Sequence, residues 1–280
     1  MKRKEIVPKA DGGITSCAKE EWEEKVCPDQ NPPILEGFHH LLGTKAEGFV
    51  IQDEFGSEFT YVPVSELIAN GTLDDGRNFN QKFGRRAFRG ETFSREAFYE
   101  ERNPALERSS EKHGGFYLSR FPISYEKGRL VSKKGNMPIV DVNFYDAERL
   151  ADMFTTKNVK AILPSGVAYD SVYQWLIQSG QVSRRQLAED STLIGNYWNS
   201  PNSARKVLPT GSNEDWCVCN IYDLAGNTDE WSTENYRSRR VLRGGVYYDD
   251  GYDWPLANRY DYCPDYSCSD TSFRVLLYVK

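Results

Sequence analysis

Residues 246–270 read VYYDDGYDWPLANRYDYCPDYSCSD. Six are tyrosines (Tyr247, Tyr248, Tyr252, Tyr260, Tyr262, Tyr266) and six are aspartates (Asp249, Asp250, Asp253, Asp261, Asp265, Asp270). The stretch has no Lys or Glu, and Val246 and Leu256 are its only aliphatics beyond Ala257. No apolar period of 2 or 3.6 runs through it, so it is neither a half-buried strand nor an amphipathic helix. A disordered tract lacks such a density of aromatic rings. The segment must therefore be an irregular loop whose shape is imposed by a scaffold elsewhere in the chain. Tyr among small polar residues is the composition of binding surfaces, because Tyr offers large contact area at small conformational-entropy cost.

The rest of the chain is able to supply that scaffold. Its 280 residues allow one large domain or two small ones. A hydrophobic share of 39% and an aromatic share of 13% exclude collagen, coiled coil and wholesale disorder. Formal net charge is −6, and the window, with one Arg against six Asp, carries five of those charges, leaving a nearly neutral remainder. A pI near 5.3 argues against a phosphate-backbone binder. No apolar run approaches the roughly 18 residues of a membrane span, and the N-terminus lacks the apolar core of a secretory signal. The expectation is synthesis in the cytoplasm without a signal peptide. Cysteines at 17, 27, 217, 219, 263 and 268 form no Cys-x-x-Cys pair, and the histidines are only His39, His40 and His113. That pattern predicts reduced thiols rather than a zinc site.

Residues 1–45, broken by prolines, read as an N-terminal arm or small subdomain, and 46–280 as the main domain. Residues 48–64 read as strand, turn and strand, with Gly56 in the turn. The charged stretch 65–112 reads as a long insertion, either a surface loop or a mobile flap. Another strand is expected at 115–123. Two helices are legible: one capped by Asn143 with Ala147, Leu150, Ala151 and Phe154 on its inner face, and one capped by Ser165 with Ala168, Val172, Trp175 and Leu176 inside and a stop at Gly180. Beyond residue 190 the chain is loop and short strand. This layout is α+β, without a Gly-x-Gly-x-x-Gly or P-loop motif.

Ile221-Tyr222-Asp223-Leu224-Ala225-Gly226-Asn227-Thr228-Asp229-Glu230-Trp231 resembles the Asp-x-Ala-Gly-Asn-x-x-Glu-Trp signature of the formylglycine-generating enzyme family. Gly115-Phe116-Tyr117, the helix start after Pro138, Leu163-Pro164-Ser165, Arg243-Gly244-Gly245 and Ser272-Phe273-Arg274-Val275 resemble that family's other motifs, in order. The resemblance covers about residues 46–280. It implies a C-type-lectin-like fold with two helices, small sheets and much irregular loop. It also implies a calcium loop, which by position would use the Asp223 and Glu230 side chains and the Gly226 and Thr228 carbonyls; the residues themselves equally suit hydrogen bonding to loop backbone. No other cofactor is expected.

The family's oxidases hold copper with two cysteines, since cuprous ion favours soft thiolates. By position those cysteines would be Gly251 and Leu256, neither of which binds copper. Cys263 and Cys268 share the five-residue spacing but follow Arg259 rather than precede it, and a copper-dependent oxidase using them is the alternative reading. With its flanks, the window resembles the variable region of diversity-generating-retroelement variable proteins, a branch of the same fold. That resemblance implies diversified ligand-contacting residues at the Tyr and Asp positions above together with Val246, Cys263, Ser267 and Cys268. It leaves Gly251, Pro255, Leu256, Ala257, Arg259 and Pro264 as fixed scaffold. The expected activity is non-catalytic binding of a protein or other macromolecular ligand, as on a cell surface, by a phage tail component or a protein displayed through partners. Residues 1–45 or 65–112 would dock it to an assembly.

Overall fold

A computed structural model describes residues 31–64, 98–99 and 101–280 of the protein. Contacts separate Met1–Asn31 from Pro32–Lys280, and the fold is that of the second unit. Most of the expected arm (1–30) and of the expected insertion (65–97 and 100) lies outside the described residues.

Six strands form the main sheet: β1 (Phe38–Leu42), β2 (Val50–Asp53), β3 (Glu58–Pro63), β4 (Gly115–Ser119), β5 (Val159–Ile162) and, from the end of the chain, β10 (Leu276–Val279). Their order is β1-β2-β3-β4-β10-β5, with every neighbouring pair antiparallel. β2 and β3 are joined as expected through Gly56, whose φ of 85° suits the turn. Strand β1 lies inside the stretch expected to be an arm. Its Phe-His-His-Leu-Leu sequence is mostly exposed, which is why no alternation marks it.

Strand alternation divides the interior into two cores. Val62, Phe116, Leu118 and Leu276 face one side, where they meet Tyr169, Val172, Tyr173 and Leu176. Phe59, Tyr61, Tyr117 and Leu277 face the other, against Phe144, Ala147, Leu150, Trp231 and Phe273. Burial of β4 on both faces follows from its central place.

Four helices occur among the described residues, two more than the sequence periodicity predicts. Helix α1 (Pro104–His113) falls in the stretch expected as loop; Asn103 caps it, Pro104 opens it, and Gly114 closes it in a left-handed conformation. Helices α2 (Phe144–Asp152) and α3 (Gly166–Gln178) have the expected caps, with Asn143 accepting from the Asp146 N–H and Ser165 from the Ala168 N–H. Helix α4 (Arg184–Ala188) is a single turn held by a Ser183–Gln186 capping box.

A second sheet carries the window. Its strands β6 (Asp229–Tyr236), β7 (Arg239–Arg243), β8 (Tyr260–Tyr262) and β9 (Thr271–Ser272) lie in the order β8-β7-β6-β9, and residues 98–99 pair with the far end of β6. β9 runs parallel to β6, whereas β7 and β8 pair antiparallel. The window thus leaves the sheet after β7, returns briefly as β8 and re-enters at β9.

Four buried charges tie this sheet to α3. Arg259 donates to both oxygens of Asp170 at 2.8 and 2.6 Å and to Glu234 on β6 at 2.9 and 2.7 Å. Arg243 on β7 donates to Asp170 at 2.6 Å and to the Ala257 and Asn258 carbonyls. Two guanidinium groups against two carboxylates leave no net charge in the core, and each charge is hydrogen-bonded, the condition under which buried ions are tolerated. Arg259→Met takes the guanidinium from Glu234 and leaves Asp170 with Arg243 alone, so one negative charge in the interior is uncompensated. It is expected to lower unfolding stability by about 3–5 kcal/mol in urea titrations, with Arg259→Lys recovering only part because an ammonium cannot bridge both acids as a planar fork does.

Candidate functional site

The window's main chain is fastened to the scaffold at intervals. The Trp198 N–H donates to the Asp249 carbonyl at 2.9 Å, and the Ser191 N–H to the Gly251 carbonyl at 2.9 Å. The Gly251 N–H reaches Asn199 Oδ1 at 3.2 Å, and the Leu256 N–H reaches Ser191 Oγ at 2.8 Å. Further along, the Ala257 N–H donates to the Leu187 carbonyl, the Phe144 N–H to the Pro264 carbonyl and the Asp141 N–H to the Cys268 carbonyl. Every one of these bonds uses a main-chain group of the window. Residues expected as fixed scaffold sit inward: Gly251, Pro255, Leu256 and Arg259 are buried. A Cβ on Gly251 would lie 2.6 Å from the Thr192 nitrogen, so no larger residue fits there without displacing the backbone.

Side chains of the window divide into three groups. Tyr248 and Tyr252 are the most open aromatics, 56% and 48% exposed, and Asp253, Cys263, Asp265 and Ser267 are exposed beside them. Trp254, Tyr260, Tyr262 and Tyr266 form a continuous row, with successive ring centroids 5.2, 5.0 and 4.0 Å apart. Asp261 is held by Arg239 on the outer edge of the sheet. Tyr247 packs edge-on against Tyr248, and Asp250 accepts from the Tyr252 N–H within its turn. Val246 and Asp270, expected among the outward contacts, are instead 2% and 7% exposed. They sit where the loop meets the second sheet, and there they line a cavity.

That cavity, of about 100 Å³, opens beneath Tyr248 and is walled by Trp254, Tyr260 and Tyr262. Asp229, Asp249 and Asp270 also line it. Asp229, on β6, accepts one hydrogen bond, from the Gly245 N–H at 3.0 Å. Asp249 Oδ2 accepts from the Val246 N–H, and Asp270 accepts from the Tyr248 and Thr271 hydroxyls. The Gly244-Gly245 corner, with φ of 105° and 81°, brings its backbone over Asp229, and a Cβ on Gly245 would lie 3.0 Å from the Tyr197 ring. Burial, followed by the neighbouring Asp249 and Asp270 carboxylates, pushes the Asp229 carboxyl well above the usual carboxylate range. Burial pushes Asp249 up to about 6.

Sequence reasoning passed over Asp229, Trp254 and Asn258, all of which line the cavity. It also passed over Leu193 and Trp198, exposed aromatic and aliphatic groups on the loop that pins the window. The signal for Asp229 was strand alternation: in Asp229-Glu230 one carboxylate turns to the cavity and the next to the core.

Both side chains of the calcium set expected from the resemblance have partners within the protein. Glu230 is ion-paired with Arg274 through both oxygens at 2.8 and 3.0 Å and accepts from the Tyr169 hydroxyl at 2.8 Å. Asp223 accepts from the Gly211 N–H at 2.7 Å, and the Gly226 carbonyl from the Thr228 N–H. Arg274 thus already neutralises the Glu230 carboxylate, and the Asp223 side chain is engaged by the backbone. Among the described residues no group of three or more His, Cys, Asp and Glu side chains is placed to hold a metal ion.

With fold and site in view, comparison with known proteins places the chain. Residues 119–278 match the model of the sulfatase-modifying factor enzyme 1-like domain. The chain belongs to that family. The match begins at the last residue of β4 and spans β6 to β9, the window and most of β10, so the cavity lies within the family domain. No curated protein matches the chain in sequence. Among solved structures it is similar to PvdO from Pseudomonas aeruginosa at 15% identity, covering 82% of this chain and 97% of that one with a TM-score of 0.49. CarF matches at 17% identity over 68% of this chain and 96% of its own, TM-score 0.43. Variable protein 1 of Treponema denticola matches at 17% identity over 81% and 86%, TM-score 0.32. The family domain has the expected α+β architecture. No helix among the described residues is long and apolar enough to cross a membrane.

Raised carboxyl groups bind protons more tightly in the folded state, so their contribution to stability is full below about pH 4 and is lost as pH rises through the folded values, near 6 for Asp249. Asp229→Asn keeps the acceptor for the Gly245 N–H and removes the buried charge. It is expected to be more stable than the parent at pH 7.5 by on the order of 1–3 kcal/mol, with the two converging near pH 4.5 in denaturant unfolding. A less stable variant at pH 7.5 would contradict this account of the pocket.

Proposed function

We propose that the protein is a non-catalytic binding protein whose 246–270 loop displays diversified Tyr and Asp side chains to a macromolecular partner. The observation that carries this reading is the division of labour within the loop. Its shape is held by main-chain groups and by Asn199, Ser191, Asp170 and Glu234, all outside the window. The outward side chains, Tyr248, Tyr252, Asp253, Cys263, Asp265 and Ser267, take no part in those fastenings. Display of varied Tyr, Asp and Ser on a rigid frame is a paratope-like arrangement. A diversity-generating retroelement, which varies such positions, accounts for the composition, and a phage tail or surface assembly is the setting in which such a protein would meet a cell-surface ligand.

Oxidase chemistry of the formylglycine-generating type has little support in this geometry. The positions corresponding to its copper ligands are Gly251, pressed against Thr192, and Leu256, buried in the core. Of the two cysteines in the alternative reading, Cys263 is exposed and Cys268 half-buried.

Two measurements test the reading. A near-copy of the 240–280 coding segment, differing only at adenines and lying beside a reverse transcriptase gene, is expected in the source genome; an isolated gene would overturn the retroelement origin. In the purified chain, simultaneous Tyr252→Ser, Asp253→Asn, Asp265→Ser and Ser267→Tyr is expected to change unfolding stability by less than about 2 kcal/mol in urea titrations, since each exposed substitution typically changes stability by no more than about 0.5 kcal/mol. A loss comparable to that of Arg259→Met would show that these side chains hold the loop.

A further inference from the structure

The cavity beneath Tyr248 has a chemistry narrower than a general contact surface. Asp229 is 8% exposed, and one of its two oxygens takes no hydrogen bond or ion pair from any described residue. Asp249 and Asp270 flank it, and none of the three is paired with a Lys, Arg or His among the described residues. Among the described residues, three of the four other buried carboxylates are matched by guanidinium groups, Asp170 and Glu234 with Arg259 and Glu230 with Arg274, while Asp223 accepts from the Gly211 N–H and lies outside this cavity. The contrast is informative, because a desolvated carboxylate facing a cavity either takes up a proton or is stabilised as the anion by a positive charge that enters the cavity.

Size and walls indicate what that charge belongs to. Room of about 100 Å³ corresponds to roughly three waters, too much for a bare ion, and the acids are not gathered closely enough to hold a metal. The walls are the rings of Trp254, Tyr260, Tyr262 and Tyr248, which attract an organic cation through their π faces. The charged and titratable groups facing the cavity are Asp229 from β6, Asp249 and Tyr248 from the loop, Tyr260 and Tyr262 from β8, and Asp270 at the start of β9; no Lys, Arg or His lines it.

We propose that this cavity is an alkylammonium-binding pocket, taking the end of a lysine side chain from the macromolecular partner, with the ammonium on Asp229 and Asp249 and its methylenes against the wall formed by Trp254 and Tyr260. The proposal rests on the binding reading above and specifies the partner's chemistry. It makes Asp229, which lies outside the variable window, a constant anchor, while the outward side chains set which lysine-bearing surface is chosen.

The test is a titration of the full chain at pH 7.5 and constant ionic strength with n-butylammonium, followed by amide chemical shifts in NMR. Saturable binding on the order of millimolar is expected, with shifts centred on Gly245, Val246 and Trp254. 1-Butanol, of the same length and uncharged, is expected to bind at least tenfold more weakly. Asp229→Asn and Asp249→Asn are each expected to weaken butylammonium at least fivefold while leaving the remainder of the spectrum unchanged. Equal binding of butanol, or undiminished binding by both variants, would overturn the proposal, as would ethylguanidinium saturating where butylammonium does not. Tighter binding of tetramethylammonium than of butylammonium would replace the unmodified lysine with its methylated form. The outcome is independent of the genomic test: a retroelement beside the gene with no ammonium binding removes the pocket alone, and ammonium binding by an isolated gene removes the diversification alone.

Discussion

The paired guanidinium groups of Arg243 and Arg259 against Asp170 and Glu234 are the interaction on which the functional half of this molecule depends. Through them a helix of the main core, two strands of the second sheet and the middle of an irregular loop share one buried, neutral cluster. Hydrophobic burial alone could not place that loop, since it has almost no aliphatic residues to bury. Directional, charge-assisted hydrogen bonds supply what apolar contact lacks here, namely a single orientation. Arg274 does the same for the other end of the second sheet. It clasps Glu230, donates to the Ser119 carbonyl at the end of β4, and donates to the Tyr222 carbonyl as well.

Much of the scaffold was legible from the sequence because its determinants are local. Asn143 and Ser165 cap their helices with side-chain oxygens three residues from the N–H they satisfy, and the inner stripes of both helices follow the helical period. The β2–β3 hairpin is marked by alternation around a glycine. The less legible elements have weak periodicity: β1 is an exposed edge strand, and α1 is a charged helix with Leu106 as its only buried large apolar residue. The capping signals of α1, Asn103-Pro104 before it and Gly114 after it, were present without an apolar stripe to draw attention to them.

The site was legible as a window but not as a cavity. Composition shows that 246–270 is unusual, whereas the residue at the cavity's centre, Asp229, comes from a strand that ends 10 residues before the window starts. Long separations also hide ion pairs: Asp170 meets Arg243 across 73 residues and Arg259 across 89. The same limitation explains the calcium loop. Asp223 and Glu230 have the spacing of ligands, but Arg274, 44 residues beyond Glu230, takes the carboxylate first. A carboxylate's partner is decided by topology, which one-dimensional spacing does not encode.

The positions at which the loop is fastened also act as a ruler. Main-chain groups of residues 249, 251, 256, 257, 264 and 268 must each meet a fixed partner on the scaffold. Between consecutive marks there are at most six residues, all committed to spanning a set distance. Changing the identity of a residue in this loop leaves the marks in register, but adding or removing one residue moves every later mark off its partner. Variation in such a loop is therefore free in alphabet and closed in length, so relatives that differ here should do so by substitution while keeping the residue count.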